Sequence, residues 1–291
     1  MHDFERIFQC FPTGITHQIQ TLNPWTKRDI EEIRVYKNKE MQIFAAGKRI
    51  SLQDRVQGND MIQILNNLMR FSYHTYEEDL AKGFITIEGG HRVGICGKAV
   101  VEKGKVILLK EISSFNIRRA KEVIGCSDLL MPHVIEKGKI NNILIASPPG
   151  CGKTTLIRDI ARNLTIQHYK VAICDERSEI AGMHGGISSY HFGAMLDVLD
   201  GCPKAEGMMM LVRSMSPDVI ITDEIGRDED LYAIKTCINC GVSLITTIHG
   251  SNEEDLKRSA IYPCIEDGIF HKLVFLTDKP VPGTIREVVD V

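Results

Sequence analysis

The sequence predicts an α/β fold: a mainly parallel sheet covered by helices over residues 123–291, preceded by a smaller α+β domain over residues 1–122. From about residue 125, short apolar runs alternate with helical patterns. A glycine-rich loop joins the first of these runs to a helix. Upstream, strand-like runs follow one another across turns rather than helices. The length of 291 residues is enough for two domains of ordinary size.

Three stretches predict the N-terminal domain. Residues 31–50 contain two strand-like runs around a polar Lys-Asn-Lys turn. Residues 59–71 have helical spacing. Their apolar face consists of Met61, Ile64, Leu65, Leu68 and Met69. Residues 83–120 hold short β-rich runs broken by Gly-Gly and Lys-Gly turns, which is typical of an antiparallel meander.

The C-terminal domain is predicted from apolar runs that have the character of buried parallel strands. They are Ile143–Ala146, Val171–Cys174, Val219–Thr222, Leu244–Ile248 and Leu273–Leu276. A helix follows the first run. Its apolar face consists of Leu156, Ile157, Ile160, Ala161 and Leu164.

The segment ASPPGCGKTTLIRD has the strand–loop–helix context of a phosphate-binding loop. Gly150 and Gly152 let backbone N–H groups turn toward phosphates, and the helix N-terminus adds partial positive charge. Lys153 is expected to reach the β- and γ-phosphates of ATP, and the Thr154 hydroxyl to ligate Mg²⁺. The predicted nucleotide-binding residues are Ser147, Pro148, Pro149, Gly150, Cys151, Gly152, Lys153, Thr154 and Thr155.

Ser147 stands where such a loop usually has its first glycine. The position lies at the entrance to the loop and not at the phosphate cradle, so a small residue is expected to adopt the turn at modest strain. A chance glycine-rich turn is the alternative, and Gly-Lys-Thr-Thr in this setting argues against it. The neighbouring N–H dipoles and Lys153 favour a thiolate at Cys151, for which an inert residue that fills the loop is the alternative.

Two acidic pairs follow buried strands. Asp223 is expected to hold Mg²⁺ directly or through water, and Glu224 to orient and polarise the attacking water. In CDERSE, the carboxylates of Asp175 and Glu176 either touch the metal or the water, or pair with arginines. An ordinary salt-bridged loop is the alternative for this second pair.

His249 ends another apolar strand, in GVSLITTIHGSN. A histidine at this place can sense the γ-phosphate or link the nucleotide to a neighbouring loop. A polar residue that only caps the strand is the alternative, and the companion motifs favour the functional role.

Composition and net charge limit the classes of partner and the cell compartment that the sequence predicts. The formal net charge is −3 and no basic stripe with aromatic residues is evident, so no nucleic acid is expected as a partner. The nine scattered cysteines indicate reduced thiols, and the lone CxxC of Cys237 and Cys240 has no second pair with which to bind a metal. The first residues do not resemble a signal peptide, and no apolar stretch reaches about 18 residues. We expect a cytoplasmic protein that contacts a membrane only through partners.

Taken in order, the motifs resemble the secretion-ATPase superfamily, the hexameric motors of type II and type IV secretion and of pilus retraction. This resemblance implies a RecA-like P-loop NTPase core, ATP and Mg²⁺ as cofactors, a homohexamer, and an active site between protomers. It also implies that arginines of the N-terminal domain point at a nucleotide, and the candidates are Arg92 and Arg118, with Arg119 beside them. The alternative for each arginine is a solvated strand or linker residue.

A closer resemblance covers nearly the whole chain, from about residue 30 to the end. EGGHRVGICG, VAICDERSEIAG and LDVLDGCPKAEGMMMLVRSMSPDVIITDEIG are similar to the stage III sporulation protein AA family of endospore-forming bacteria. The resemblance implies a mother-cell ATPase that serves a membrane-embedded channel facing the forespore. The implied partner is the cytoplasmic face of a complex of stage III sporulation AB-type and related proteins. Met195-Leu196 stands where that family is expected to have Arg-Thr, which suggests slower hydrolysis.

Two other functions stay open. A nucleic-acid-stimulated RecA-like ATPase shares this layout, although the net charge argues against it. An ATP-bound scaffold without turnover is weakly favoured by Ser147 and Met195, whereas the intact Asp223-Glu224 pair argues for hydrolysis.

Overall fold

The computed structural model describes residues 3–291, which form two compact units. The N-terminal unit extends to Ala120 and also includes Gly182–Ser189. The C-terminal unit comprises Lys121–Ala181 and Tyr190–Val291. The division after Ala120 lies close to the expected one after residue 122, whereas the excursion of Gly182–Ser189 was not anticipated.

The N-terminal unit is an α+β fold around an antiparallel sheet. Its helices are α1 (Asp3–Arg6), α2 (Thr13–Thr21), α3 (Pro24–Arg28), α4 (Gly58–Leu68) and α5 (Glu77–Lys82), with 3₁₀ turns at Ile7–Cys10 and Tyr73–Tyr76. Its sheet contains β1 (Ile30–Tyr36), β2 (Glu40–Ala45), β3 (Lys48–Arg55), β4 (Phe84–Ile87), β5 (His91–Glu102) and β6 (Lys105–Arg118). The strand order is β3-β2-β1-β6-β5-β4.

The antiparallel meander is confirmed as β4, β5 and β6. Residues 31–50 were expected to hold two strands, but a third strand, β3, starts inside that stretch. Only Leu52 of β3 is buried, so this strand has no apolar run that would reveal it. The predicted face of α4 is confirmed by buried Met61, Ile64 and Leu68.

The C-terminal unit begins with α6 (Met131–Val134) and the short hairpin β7 (Ile135–Glu136) and β8 (Lys139–Ile140). Then follow β9 (Ile143–Ser147), α7 (Lys153–Ile166) and β10 (Val171–Asp175). The excursion into the N-terminal unit forms the hairpin β11 (Met183–His184) and β12 (Ile187–Ser188). The remaining elements are β13 (Leu196–Asp200), α8 (Lys204–Met215), β14 (Val219–Thr222), α9 (Asp228–Asn239), β15 (Ser243–His249), α10 (Glu253–Leu256), α11 (Tyr262–Glu266), β16 (Lys272–Thr277) and β17 (Thr284–Asp290).

The sheet of the C-terminal unit has the strand order β13-β10-β14-β15-β9-β16-β17. All neighbouring strands are parallel except β16 and β17. The predicted mainly parallel sheet is therefore confirmed, and the predicted apolar runs form its interior strands. The two edge strands, β13 and β17, were not predicted, because their residues are only partly buried.

Helix α7 is fixed by its apolar face, as predicted. Leu156, Ile157, Ile160 and Leu164 are each at most 1% exposed. Burial of one such side chain contributes about 1.5–3 kcal/mol, so the helix is held firmly against the sheet. The N-terminus of α7 consequently has a fixed position at the end of β9.

None of the helices in residues 3–291 combines the length and the apolar character needed to cross a membrane.

Candidate nucleotide-binding site

The glycines of the loop between β9 and α7 adopt left-handed backbone conformations. Gly150 has φ +79° and Gly152 has φ +82°. A Cβ atom at Gly152 would lie 3.0 Å from the backbone nitrogen of Gly283, whose N–H donates to the carbonyl of Cys151 at 2.9 Å. Glycine is therefore required at position 152 both for its φ and for the close approach of the 283 backbone. This geometry turns backbone N–H groups into a cradle that suits an anion.

Lys153, the first residue of α7, is 6% exposed. Its ammonium donates to the Ser147 carbonyl at 2.9 Å and to the Pro148 carbonyl at 3.2 Å. Burial lowers the pKa of Lys153 from its ordinary value, against the opposing charge of Glu224. A buried cation held by neutral carbonyls is well prepared to bind an anion, because charge-assisted hydrogen bonds are stronger than neutral ones.

Ser147 is fully buried at the end of β9 and is not among the residues with positive φ. Its hydroxyl donates to the Pro148 carbonyl at 2.9 Å. The position thus needs no left-handed residue, and a serine occupies it without the backbone strain that the sequence suggested. Pro148 and Pro149 are exposed at the loop tip, whereas Cys151 is buried with its thiol 4.0 Å from the Pro149 carbonyl.

Asp223 follows β14 and is 2% exposed. Burial raises its pKa to about 6, and the charges of Asp175 and Glu224 add to the effect. Its Oδ1 is buried and has no hydrogen-bond partner within the described chain. A buried carboxylate oxygen without a partner is costly unless a cation or an ordered water satisfies it. Carboxylate and hydroxyl oxygens are the hard donors that Mg²⁺ prefers, so Asp223 and Thr154, of which only Thr154 lines the cleft of the phosphate loop, fit the predicted ion by their chemistry.

Two close polar contacts through His249 join the phosphate loop to Glu224. The Lys153 ammonium lies 3.1 Å from Nδ1 of His249, and Nε2 of His249 lies 3.3 Å from Oε1 of Glu224. Because an ammonium can only donate, Nδ1 must be the acceptor, which assigns the proton of a neutral ring to Nε2. His249 therefore accepts a hydrogen bond from Lys153 through Nδ1, and its Nε2 lies within ion-pair distance of Glu224.

Two further contacts hold Glu224. Its backbone has φ +44°, and its N–H donates to the Thr247 hydroxyl at 2.8 Å. Its Oε2 lies 3.1 Å from the Arg177 guanidinium. A non-glycine residue in the left-handed region is an energetic cost that persists only where the surroundings hold it. The carboxylate is accordingly fixed in direction and faces the cleft.

The two carboxylates of the segment CDERSE, Asp175 and Glu176, have different tasks. Asp175 is fully buried and accepts the N–H groups of Glu179, Ile180 and Ala181 at 2.8–2.9 Å. Burial raises the pKa of Asp175 to about 6, although these N–H groups act in the opposite direction. Asp175 thereby shapes the loop that follows β10 and has little capacity left for a metal.

Glu176 pairs with Lys204 and lies 3.8 Å from Arg227. Burial alone would raise the pKa of Glu176, but these cations outweigh it and the pKa is lowered. The sequence left open whether Glu176 touches the metal or the water or pairs with arginines. In the structure it pairs with basic residues, Lys204 and Arg227. It does not line the cleft that contains the phosphate loop.

The cleft has a volume of about 680 Å³. It is lined by Pro149, Gly150, Gly152, Lys153, Thr154, Thr155, Arg177, Glu179, Glu224 and His249. The phosphate loop, the end of β15 and the segment after β14 thus lie together at the carboxyl ends of the parallel strands. His249 is the register partner of Ser147 there. A cleft of this size is in the range of small-molecule sites.

The predicted arginines belong to the N-terminal unit. Arg92 and Arg118 are register partners on β5 and β6, so they occupy one face of that sheet. The Arg92 guanidinium lies 4.0 Å from the centroid of the Phe84 ring, and Nε of Arg118 lies 3.9 Å from Glu32. Their role toward a nucleotide stays a prediction.

Arg158 is a supporting residue that the sequence did not reveal. The chain passes between the two units after Ala120, after Ala181 and after Ser189. Arg158, on α7, donates to the carbonyls of Lys121, Ile180 and Glu179, and its guanidinium lies 4.0 Å from the Tyr190 ring centroid. Arg158 is buried on the helix that follows the phosphate loop. It therefore contacts residues next to each of the three points at which the chain passes from one unit to the other.

Comparisons with known proteins show which family the chain belongs to. The model of the family described as "Sporulation stage III, protein AA" matches residues 3–291. The chain is 39% identical over 290 residues to "Stage III sporulation protein AA" of Bacillus subtilis (strain 168), covering 98% of this chain and 94% of that protein.

Two solved structures have a fold similar to that of this chain. The pilus retraction motor PilT with bound ADP has a TM-score of 0.60 at 15% identity, over 84% of this chain and 74% of PilT. The ATPase DotB of Yersinia pseudotuberculosis has a TM-score of 0.59 at 16% identity, over 92% and 76% of the two chains. At these identities the likeness establishes the fold alone. The full-length family match and the 39% identity establish that the chain belongs to the stage III sporulation protein AA family.

Proposed function

We propose that this protein is a Mg²⁺-dependent ATP hydrolase that energises or gates a membrane-embedded channel complex required for endospore formation. The proposal is supported by the arrangement of residues at the carboxyl ends of β9, β14 and β15. There, Oδ1 of Asp223 is buried and has no hydrogen-bond partner among residues 3–291, and the contacts Lys153–His249–Glu224 begin beside the glycine-rich loop.

The cradle and Lys153 would bind the phosphates. The N–H groups around Gly150 and Gly152 supply directed donors, and the partial positive charge of the α7 N-terminus adds to them. Lys153 would exchange the neutral carbonyls of Ser147 and Pro148 for anionic phosphate oxygens. This exchange favours the bound state because the new hydrogen bonds are charge-assisted.

Thr154 and Asp223 would hold Mg²⁺. An ion held by these two residues would supply electrostatic stabilisation of the charge on the phosphates. Asp223 must be ionised to bind Mg²⁺. Its pKa is raised because burial disfavours the charged carboxylate, and a bound cation would offset that cost.

Glu224 would orient and polarise the attacking water, because its carboxylate faces the cleft between His249 and Arg177 and its backbone is held by Thr247. His249 would report on the γ-phosphate: when Lys153 turns to a phosphate, Nδ1 of His249 loses its donor. His249 is then free to take a proton or to donate elsewhere. Arg177 would have to release Glu224, or share it, for the water to approach.

The wider assignment rests on family membership and fold. We assign the protein to the mother-cell cytoplasm, peripheral to the membrane, as a homohexamer in which Arg92 and Arg118 reach the nucleotide of a neighbouring protomer. Its partner would be the cytoplasmic face of a complex of stage III sporulation AB-type and related proteins. Glu176 would act on the site indirectly, through Lys204 and Arg227.

Nucleotide titration and steady-state turnover of the purified full chain test the proposal. Wild-type protein is expected to bind ATP and release phosphate in a Mg²⁺-dependent manner, and Lys153→Ala to lose both activities. Lys139→Ala removes an exposed lysine of the same unit and should behave as wild type. Absence of binding and turnover in the wild type across oligomerisation conditions would refute the proposal.

Sporulation of a strain that carries Glu224→Gln separates a motor from a scaffold. This change should spare ATP binding and stop hydrolysis, so a motor variant is expected to form no spores. Normal spore yield would favour the ATP-bound scaffold. Stimulation of turnover by single-stranded DNA would instead favour a nucleic-acid-stimulated ATPase.

A further inference from the structure

Strands β5 and β6 extend beyond the sheet of the N-terminal unit. β4 pairs with β5 only from His91 to Gly94, and β1 pairs with β6 only from Ser114 to Arg118. Within residues 3–291, residues 97–111 therefore form a ribbon of two strands that have only each other as hydrogen-bonded neighbouring strands. An isolated two-stranded ribbon of this kind is marginally stable in water by itself.

One face of the ribbon is apolar. The register pairs Ala99 with Leu109 and Val101 with Val106, and alternation along β5 places both pairs on the same side. Ile107 is the extra residue where the register shifts. Val101 is 58% exposed, Ile107 45% and Val106 41%, so the outer part of this apolar surface is open to solvent.

The ribbon also carries positive charge. It contains Lys98, Lys103, Lys105 and Lys110 against Glu102 and Glu111, a net charge of +2 from four cations and two anions, whereas the whole chain has −3. Lys103 and Lys105 flank the turn at its tip. Within residues 3–291, neither of these two lysines has an ion-pair partner.

We propose that residues 97–111 are a membrane-surface anchor that binds anionic phospholipid. Aliphatic side chains of Val101, Val106 and Ile107 would enter the boundary between headgroups and acyl chains, while the tip lysines stay among the lipid phosphates. Each lysine near the surface of an anionic leaflet raises the membrane partition coefficient of a polybasic segment about fivefold.

The composition favours lipid over a protein partner. Protein interfaces are enriched in aromatic residues, methionine and arginine and depleted in lysine. Residues 97–111 contain four lysines and no aromatic residue, methionine or arginine. The proposal does not depend on ATP hydrolysis, and it revises the expectation that the protein reaches a membrane only through partners.

The chain contains a matched control for the tip. The tip reads Glu-Lys-Gly-Lys-Val over residues 102–106, and the β7–β8 turn reads Glu-Lys-Gly-Lys-Ile over residues 136–140. The second turn joins strands of two residues and has no exposed apolar ribbon behind it. Equal charge changes at the two turns therefore separate a specific anchor from general electrostatic attraction.

Flotation of the full-length protein with vesicles tests the anchor. Binding is expected to phosphatidylcholine vesicles that contain phosphatidylglycerol and not to phosphatidylcholine alone. It should weaken as salt rises from about 0.1 M to about 1 M, where the screening length falls from about 10 Å to about 3 Å. Lys103→Gln with Lys105→Gln should reduce partitioning about 25-fold, at about fivefold per lysine. Lys137→Gln with Lys139→Gln should leave it within about twofold.

Val101→Thr with Ile107→Thr keeps the β-branched shape and should also weaken binding, since the apolar contribution is lost. Thermal unfolding of each variant verifies that the fold is kept. The proposal is overturned if no vesicle is bound, if both lysine pairs act equally, or if the ribbon variants bind vesicles normally. Loss of a membrane-protein partner with normal vesicle binding would assign the ribbon to a protein interface instead.

Discussion

Replacing Asp223 by asparagine should make the protein more stable at neutral pH while it disables the proposed metal site. The pKa of Asp223 is raised by burial from 3.8 to about 6, and its Oδ1 has no partner within the described chain. At 1.36 kcal/mol per pH unit, the ionised carboxylate costs the folded state about 3 kcal/mol above pH 6. Asparagine removes this charge, and we expect a gain of about 1–3 kcal/mol.

The pH dependence has a definite sign. A carboxyl group whose folded pKa exceeds its unfolded pKa favours the folded state fully below about pH 3.8, and this contribution is lost as pH rises through about 6. Wild-type stability should therefore fall across this window more steeply than that of Asp223→Asn. Asp175 has a similarly raised pKa, so the variant keeps that part of the loss.

Thermal unfolding without Mg²⁺ and nucleotide, at pH 5 and pH 8, measures the effect. The melting temperature of Asp223→Asn at pH 8 should exceed that of the wild type by roughly 2–12 °C for a domain of this size. With Mg²⁺ and ATP the order should reverse, because ligand at a thousandfold excess over Kd adds about 4.1 kcal/mol only to the protein that binds it.

Asp230 supplies the control. It is 3% exposed but accepts the N–H groups of Gly226 and Arg227, both at 2.9 Å. Asp230→Ala should therefore destabilise the protein by about 1 kcal/mol. If Asp223→Asn is also less stable than the wild type at pH 8, or shows the same pH slope, the unpartnered, charged state inferred for Asp223 is wrong.

Three further substitutions test other parts of the site. Gly152→Ala should weaken ATP binding about tenfold in a fluorescence titration. An alanine in the left-handed conformation costs about 1–2 kcal/mol, and its Cβ would meet the backbone of Gly283. Unchanged affinity would contradict the need for glycine. Arg158→Leu should lower the free energy of unfolding by about 3 kcal/mol in urea, because three carbonyls lose their donor; a change below about 1 kcal/mol would contradict its supporting role. Thr247→Val removes the acceptor of the Glu224 N–H and should lower kcat with little change in ATP affinity in steady-state assays; a reduced affinity with normal kcat would count against this positioning.

Local sequence patterns identified the interior of the C-terminal unit because its strands are apolar runs buried on both faces. They missed β13 and β17, since edge strands such as LDVLD and TIREVVD mix polar and apolar residues. The phosphate loop was recognisable from its glycines and lysine. The strain expected at Ser147 is absent, because only the backbone angles reveal that this position has no left-handed φ.

Long-range partnerships could not be predicted in the same way. Arg158 meets carbonyls that lie 21 to 37 positions away along the chain, and carbonyls carry no side-chain signature. The pairing of Glu176 with Lys204 depends on the approach of α8 to the end of β10. The excursion of Gly182–Ser189 likewise depends on tertiary contacts, such as that between Tyr76 and His184, whose polar atoms are 3.4 Å apart.

A rapid-quench measurement with Glu224→Gln decides whether this site hydrolyses ATP. Protein in excess over radiolabelled ATP is mixed with Mg²⁺, and bound nucleotide is analysed over time. The wild type should convert bound ATP to ADP, whereas Glu224→Gln should hold ATP unhydrolysed with undiminished affinity. Conversion by the variant at the wild-type rate, or failure of both proteins to retain ATP, would contradict the assignment of Lys153, Asp223 and Glu224 to an ATPase site.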